Sequence, residues 1–242
     1  MTETQIAHSE LRLTFSPLAE SAVLVRIGAG ELIDPVIVDA VTSLTHTIDH
    51  ADLPGVVNVV PAYATILIEF DSDVTTGDDV EVAVREIAAR GFAGPDRDVR
   101  TVIIPVMYGG EFGPDLPEMA NEVGMHPDDL VHRHAQADYR VACMGFSPGW
   151  AYLLGLPVEL TVPRLRIPRT RIPAGSVAVG GAQTGVYPLE SPGGWRLIGR
   201  TPLRMFDPDR SEPFMLQPGN HVRFASIDHE RFAMIQQRGS DE

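Results

Sequence analysis

Residues 176–202 read SVAVGGAQTGVYPLESPGGWRLIGRTP, and this stretch decides the fold of the second half of the chain. Short runs with β-branched residues are separated by glycine and proline, a pattern typical of short strands joined by tight turns. Similar runs begin at Tyr139 and continue through HVRFASI and FAMIQQ toward the end of the sequence. Many short strands with turns between them predict a closed or nearly closed β-barrel.

The first half of the chain has a different pattern, with two helical segments among four strand-like runs. The helix predicted over 34–50 has Asp34 as its N-cap and Pro35 at its first position. A second helix is predicted over 75–91, where acidic residues come early and arginines late. The order strand–strand–helix occurs twice in succession, which predicts a small α+β sandwich with both helices on one face of the sheet.

Length and composition fit two small soluble domains. The chain has 242 residues and is 44% hydrophobic, and the Gly/Pro-rich, charged segment 93–98 is the predicted linker. We therefore predict an N-terminal α+β domain over residues 1–97 and a β-barrel domain over residues 98–242. No run approaches the roughly 18 apolar residues of a membrane span, and the first residues lack a secretion pattern. We expect a cytoplasmic protein without a membrane partner.

The charged and sulfur-containing residues exclude several classes of function. The net charge is −14, which speaks against a nucleic-acid partner. All 19 basic residues are arginine, so a Walker A lysine and Schiff-base chemistry are excluded. The single cysteine excludes an internal disulfide and a cysteine-based zinc site. No His-Glu-x-x-His pattern occurs, and we predict no metal site built by the protein itself.

The arginines are concentrated in one segment. Residues 160–206 contain seven arginines and one acid, Glu190, so this segment carries about +6 (7 − 1). A solvated basic face would explain the cluster, but guanidinium groups also suit carboxylate and phosphate, and we favour an anion site. Glycine-rich stretches at 180–185 and 191–195 lie among the arginines. They predict either backbone N–H groups that face an anion or tight turns at the barrel rim.

Residues 145–149 read GFSPG and match the G-x-S-x-G pattern of a serine nucleophile elbow. An elbow needs a backbone N–H directly after the serine for its oxyanion hole, and Pro148 has none. Ser147 is therefore not predicted to be a nucleophile. Cys143 lies in an apolar run, where a lone cysteine is usually a small buried side chain. His134 could act as a general base or serve only a structural role, and the pattern leaves both open.

Four longer motifs lie in the second half of the chain. They are YGGEFGPDL (108–116), MGFSPGWAYLLGLP (144–157), IPRTRIPAGSVAVGGAQTGVYPLESPGGWRLIGRTP (167–202) and PGNHVRF (218–224). Together they resemble the family of 5-oxoprolinase B subunits, also called the allophanate hydrolase subunit 1 or Kip-type inhibitor family. One departure is that Trp150, Ala151 and Leu154 stand where the family usually has Phe, Pro and Gly.

The resemblance implies an N-terminal α+β domain and a C-terminal cyclophilin-like β-barrel. It also implies ATP-dependent opening of 5-oxoproline to glutamate, carried out together with a C subunit of homologous barrel fold and an A subunit rather than by this chain alone. A histidine-kinase inhibitor and a component of an allophanate or urea-amidolyase-type amidohydrolase are the alternatives. The expected ligands are a lactam or amide substrate and ATP with Mg²⁺, at a site that could be shared with another chain.

The candidate site combines cations, polar groups and aromatic rings of the barrel domain with one base. Glu111 or His134 is the candidate base. The candidate anion-binding residues are Arg166, Arg169 and Arg200, with Gln183, Thr184 and Tyr187 as polar neighbours. The candidate pocket wall consists of Phe146, Trp150, Tyr152 and Trp195.

Overall fold

The chain separates into two units, Met1–Val99 and Arg100–Glu242. The computed structural model describes residues 12–28, 34–91 and 100–238. The predicted linker at 93–98 lies outside these described residues. No helix within them combines the length and the apolar character that crossing a membrane requires.

The first unit is an α+β sandwich, as predicted. Its sheet has the order β1-β2-β4-β3 with antiparallel neighbours. Asp34 caps α1 by accepting the Val36 N–H at 2.8 Å, and Pro35 stands at the start of the helix, which confirms the predicted cap. Both helices pack on β2 and on each other, so they cover the same face of the sheet. The elements are β1 (Leu13–Pro17), β2 (Ala22–Ile27), α1 (Pro35–His50), β3 (Val56–Ala62), β4 (Thr65–Phe70) and α2 (Gly77–Ala89).

The second unit is a closed barrel of seven strands, which confirms the predicted architecture. Its elements are β5 (Thr101–Tyr108), α3 (Leu116–Glu122), α4 (Pro127–Gln136), β6 (Tyr139–Met144), β7 (Ala151–Leu154), β8 (Arg169–Ile172), β9 (Ser176–Gly180), β10 (Gln183–Val186), β11 (Ser191–Gly193), β12 (Arg196–Arg200), β13 (His221–Ser226) and α5 (His229–Arg238). The strand order is β6-β13-β5-β12-β9-β10-β7, and β7 pairs back with β6. Of these pairs, β13–β5 is parallel. Strands β8 and β11 form a separate two-stranded ribbon.

The interior of the barrel is filled by apolar side chains. Strand residues such as Ile104, Leu153 and Ile198 are completely buried in one cluster. Met119 of α3 and Leu130 of α4 belong to the same cluster. The barrel is therefore a packed core, and a small-molecule site has to lie at its rim or outer surface.

The segment FAMIQQ (232–237) is helical, and its prediction as a strand was wrong. It belongs to α5, whose first turn is capped where the Asp228 carboxylate accepts the Arg231 N–H at 2.8 Å. Phe232 is buried and its ring centroid lies 4.8 Å from that of Phe112. A short apolar run does not separate strand from helix by its pattern alone, and the capping aspartate was the missed signal.

Candidate functional site

An open cleft of about 560 Å³ lies between α5 and the segment that follows β12. Four arginines and one histidine line it, whereas none of the lining residues that the structure describes is an aspartate or glutamate. The rings of Phe112 and Phe232 are also part of the lining. The basic lining residues are Arg200, Arg204, Arg210, His229 and Arg238.

The cleft contains one predicted anion-binding residue, Arg200, and lies next to one predicted base, Glu111. Burial lowers the pKa of Arg200, and the charge of Glu111 acts in the opposite direction, so the two side chains are neighbours. The Arg200 guanidinium carbon lies 5.2 Å from the centroid of the Phe112 ring. Its Nε atom is buried and has no hydrogen-bond partner. The structure thus brings a carboxylate and an incompletely bonded guanidinium together at the cleft.

His134, the other predicted base, lies in the barrel interior and is completely buried. The Thr184 hydroxyl donates to the Ala178 carbonyl at 3.0 Å, so it accepts from His134 Nε2–H at 2.9 Å. His134 Nδ1 then accepts from the Tyr108 hydroxyl at 2.9 Å. Burial lowers the pKa of His134 to about 3. Both ring nitrogens are occupied and the imidazole is neutral, which favours a structural role, while a catalytic role stays a prediction.

The four predicted wall residues form one aromatic cluster. Trp150 lies at its centre, with its ring centroid 5.1 Å from that of Trp195, 5.7 Å from that of Tyr152 and 5.6 Å from that of Phe146. Tyr187 joins the same cluster at 4.6 Å from Trp150. Trp150, Tyr187 and Trp195 are buried, whereas Phe146 is 62% exposed. The cluster packs as a second small core, and Phe146 and the half-buried Tyr152 are its outward members.

The glycine-rich stretches make room for these rings. A Cβ atom at Gly180 would lie 2.6 Å from the Trp195 ring, and one at Gly193 would lie 2.2 Å from the Tyr187 hydroxyl oxygen. A Cβ atom at Gly185 would lie 3.1 Å from the Trp150 ring. The structure shows a role that neither interpretation of these stretches included, namely close packing of the backbone against the rings. The backbone anion site stays a prediction.

The remaining predicted anion-binding residues lie away from the cleft lining. Arg169 makes two hydrogen bonds to Asp115, at 2.9 and 2.6 Å, and Asp115 also accepts the Leu197 N–H at 2.7 Å. Arg166 is exposed and forms no ion pair with a residue in the described part of the chain. Gln183 is buried in β10. The predicted set is therefore divided between the cleft, the barrel interior and the ribbon.

The G-x-S-x-G segment does not form an activated nucleophile among the described residues. The Ser147 hydroxyl is buried without a hydrogen-bond partner, so no histidine stands ready to take its proton. Burial raises the pKa of the nearby Cys143 thiol, which disfavours the thiolate. Phe146 has a φ of 64°, which turns its side chain outward at this loop. As predicted, Ser147 lacks the surroundings of a catalytic serine.

The described residues contain no group of three or more His, Cys, Asp or Glu side chains that could hold a metal ion. The described residues therefore provide no cage of several protein ligands, although Mg²⁺ held by one or two carboxylates and substrate phosphates would not need one. The arginines of the cleft suit anions instead.

Three cations of the cleft were missed as site residues by the sequence reasoning. Arg204 belongs to the arginine-rich segment 160–206, and this position could have indicated it as an anion-binding candidate. Arg210 and Arg238 lie outside that segment. The packing of α5 through Phe232 brings Arg238 to the cleft. The helix-capping residue at the start of α5 was the sequence signal that could have indicated this helix.

The packed barrel and the α+β unit that precedes it place the chain in the carboxyltransferase-domain class. The sequence profile described as "Carboxyltransferase domain, subdomain C and D" matches residues 13–216. Urea amidolyase of K. lactis superposes with a TM-score of 0.75 over 99% of this chain, which spans 16% of that protein. At 19% identity this likeness concerns the fold alone.

The chain belongs to this family, and to the branch that contains 5-oxoprolinase B subunits. It is 36% identical over 238 residues to the 5-oxoprolinase B subunit of Bacillus subtilis (strain 168), covering 92% of this chain and 96% of the relative. It is 43% identical over 174 residues to the corresponding protein of Escherichia coli O157:H7, covering 72% and 79%. The solved structure of TTHA0988 is 35% identical with a TM-score of 0.74, covering 86% of this chain and 40% of that longer chain.

Proposed function

We propose that the chain is the B subunit of an ATP-dependent 5-oxoprolinase and works with a C subunit of homologous barrel fold and an A subunit. The observation that carries the proposal is the match to the 5-oxoprolinase B subunit of Bacillus subtilis, which covers nearly the full length of both chains. That its relatives are named as subunits supports an assembly of several chains.

The reaction makes two chemical demands that this chain's residues can address. A lactam is a poor electrophile, so transfer of the terminal phosphoryl group of ATP to its carbonyl oxygen would release ADP and activate the ring. Addition of water to that carbon would be followed by cleavage of the C–N bond, in which the ring nitrogen takes up a proton and an acyl phosphate forms. A second water would then hydrolyse the acyl phosphate to the carboxylate and free phosphate. The route needs cations for phosphate or carboxylate and a base for water.

Arg200 and Glu111 meet these demands best among the predicted residues. The incompletely bonded guanidinium of Arg200 faces the cleft, where it can hold a phosphate or a substrate carboxylate. Glu111 is exposed beside it and can accept a proton from water. His134 is the weaker candidate base because its two ring nitrogens already have partners inside the barrel. Mg²⁺ could arrive with the phosphate groups of ATP, where one or two carboxylates are enough to complete its binding.

Arg166, Arg169, Gln183, Thr184 and Tyr187 stay predicted contributors to the site. A partner chain could complete the surroundings of Arg166, which is exposed. Buried Thr184 and Tyr187 would contribute by holding the strands and rings behind the surface rather than by touching a ligand.

The test is to co-purify this chain with its candidate C and A partners and to measure ADP release that depends on 5-oxoproline. We expect activity only in the full assembly, and a fall of about 100-fold for Arg200→Ala, since two charge-assisted hydrogen bonds are lost. Arg223→Ala is the matched control because this exposed arginine pairs with Asp138 on the barrel surface, away from the cleft lining. ADP release that is absent from every combination of the chains, or unchanged in Arg200→Ala, would contradict the proposal.

A further inference from the structure

The cleft collects guanidinium groups from three separate segments of the barrel unit. Arg200 ends β12, Arg204 and Arg210 follow in the next segment, and Arg238 ends α5. These residues are separated in sequence by up to 38 positions (238 − 200), yet they line one volume of about 560 Å³. His229, at the first turn of α5, adds a donor to the same lining. Their convergence is a property of the fold and not of a local basic run.

Two arginines of the cleft pair with one acid at long distances. Arg204 and Arg210 share one carboxylate, that of Asp207, at 3.5 and 3.6 Å. Arg200 has Glu111 as a neighbouring acid, and Arg238 has no ion pair with a residue that the structure describes. The described lining residues of the cleft thus include four arginines and no carboxylate.

Three arginines elsewhere in the barrel unit are bonded more tightly. Arg169 lies 2.6 Å from Asp115, and Arg171 lies 2.7 Å from Glu190. Arg196 lies 2.9 Å from a carboxylate oxygen of Glu122. The longer distance between Arg204 and Asp207 makes that carboxylate a weaker competitor with a ligand for the Arg204 guanidinium.

The cleft also holds part of this charge in a fixed position. Arg200 packs over the Phe112 ring, which in turn packs against Phe232. These rings exclude water from one side of the guanidinium, and attraction to an anion is stronger where water is excluded. A donor that is already ordered loses less entropy when it binds a ligand.

We infer that this cleft binds a polyphosphate chain, meaning a ligand with at least two adjacent phosphate groups. Four guanidinium groups and one imidazole exceed what one carboxylate requires, and about 560 Å³ is more room than a single small anion fills. The chain could be the tail of a nucleotide or a free polyphosphate, since the arginines recognise the phosphates in both. The inference goes beyond the proposed reaction, because binding is a property of this chain without its partners.

The experiment is isothermal titration of the purified full chain, at low salt, with pyrophosphate, tripolyphosphate, orthophosphate, acetate and ATP. We expect pyrophosphate and tripolyphosphate to bind more tightly than orthophosphate and acetate, and added NaCl to weaken them. The double variant Arg204→Ala/Arg238→Ala should weaken tripolyphosphate at least about tenfold, since two charge-assisted contacts are lost. The control Arg223→Ala should stay within about twofold because it removes only an exposed surface pair.

The comparison with ATP separates the two sources of the phosphates. ATP that binds more tightly than tripolyphosphate and competes with it identifies a nucleotide tail, whereas equal or weaker ATP binding identifies free polyphosphate. Both results support the inference. Pyrophosphate that binds no better than orthophosphate, or a double variant that behaves like Arg223→Ala, would overturn it. These readouts do not involve ADP release, so failure of the proposed enzyme activity and failure of this site are distinguishable.

Discussion

The ion pair between Asp115 and Arg169 is expected to hold the ribbon against the barrel, and Asp115→Asn tests this. The Asp115 side chain is 6% exposed and that of Arg169 is 32% exposed, so one end of the pair can still reach water. Breaking a fully buried pair costs about 3–5 kcal/mol. Asparagine keeps an acceptor for the Leu197 N–H but loses the charge, so we expect about 2–3 kcal/mol here.

Thermal and urea unfolding, followed by circular dichroism at pH 7, would measure this change. The expected loss corresponds to a Tm about 4–12 °C lower for a unit of this size. Glu190→Gln is the matched control, because its pair with Arg171 is exposed and should contribute less than about 1 kcal/mol. A double-mutant cycle with Arg169→Ala should give a coupling above about 1 kcal/mol. Equal losses for Asp115→Asn and Glu190→Gln, or strictly additive effects in the cycle, would refute the reasoning.

Two further predictions concern the barrel interior and the aromatic cluster. The pKa of His134 is about 6.5 in the unfolded chain and about 3 in the folded chain. The contribution of His134 to the free energy of unfolding should therefore be fully present above pH 6.5. It should then decrease by about 1.4 kcal/mol per pH unit toward pH 3. Urea midpoints between pH 7.5 and 5 should show a shallower slope for His134→Gln but not for the exposed His132→Gln, and equal slopes would contradict the buried neutral imidazole. Gly180→Ala should cost about 1–3 kcal/mol in urea unfolding, because its Cβ would lie 2.6 Å from the buried Trp195 ring. A loss no larger than that of Gly145→Ala, where the nearest atom lies 4.0 Å from the added Cβ, would count against this packing.

The strands, the sandwich and one helix cap could be predicted because they depend on local patterns. Alternation along β2, the cap at Asp34 and the glycine breaks between barrel strands are all visible in sequence. The α5 helix was missed since a six-residue apolar run fits both periods, and its stability comes from Phe232 packing on Phe112. The position of α5 completes the cleft. Because a strand was predicted here, Arg238 was not among the candidate residues.

The arrangement of the candidate site could not be predicted because its ion pairs join residues that are far apart in the sequence. The segment 160–206 counts as about +6 in sequence, yet α3 and the residue before it supply acids from far away in the chain. Asp115 binds Arg169, and Glu118 and Glu122 lie 3.2 and 2.9 Å from Arg196. These two arginines are bound to acids of their own chain, so the segment's charge does not measure its capacity for anions.

The fold brings to the cleft cations that a window of sequence does not collect. Arg204 and Arg210 both pair with Asp207, and Arg238 arrives on a helix whose position depends on one buried ring. Charge counted over a window of sequence therefore points to the right half of the molecule but does not select these three guanidinium groups. A ligand can displace water from a weakly paired donor more easily than it can displace a buried carboxylate, so the cleft suits an anion better than the Asp115–Arg169 pair does.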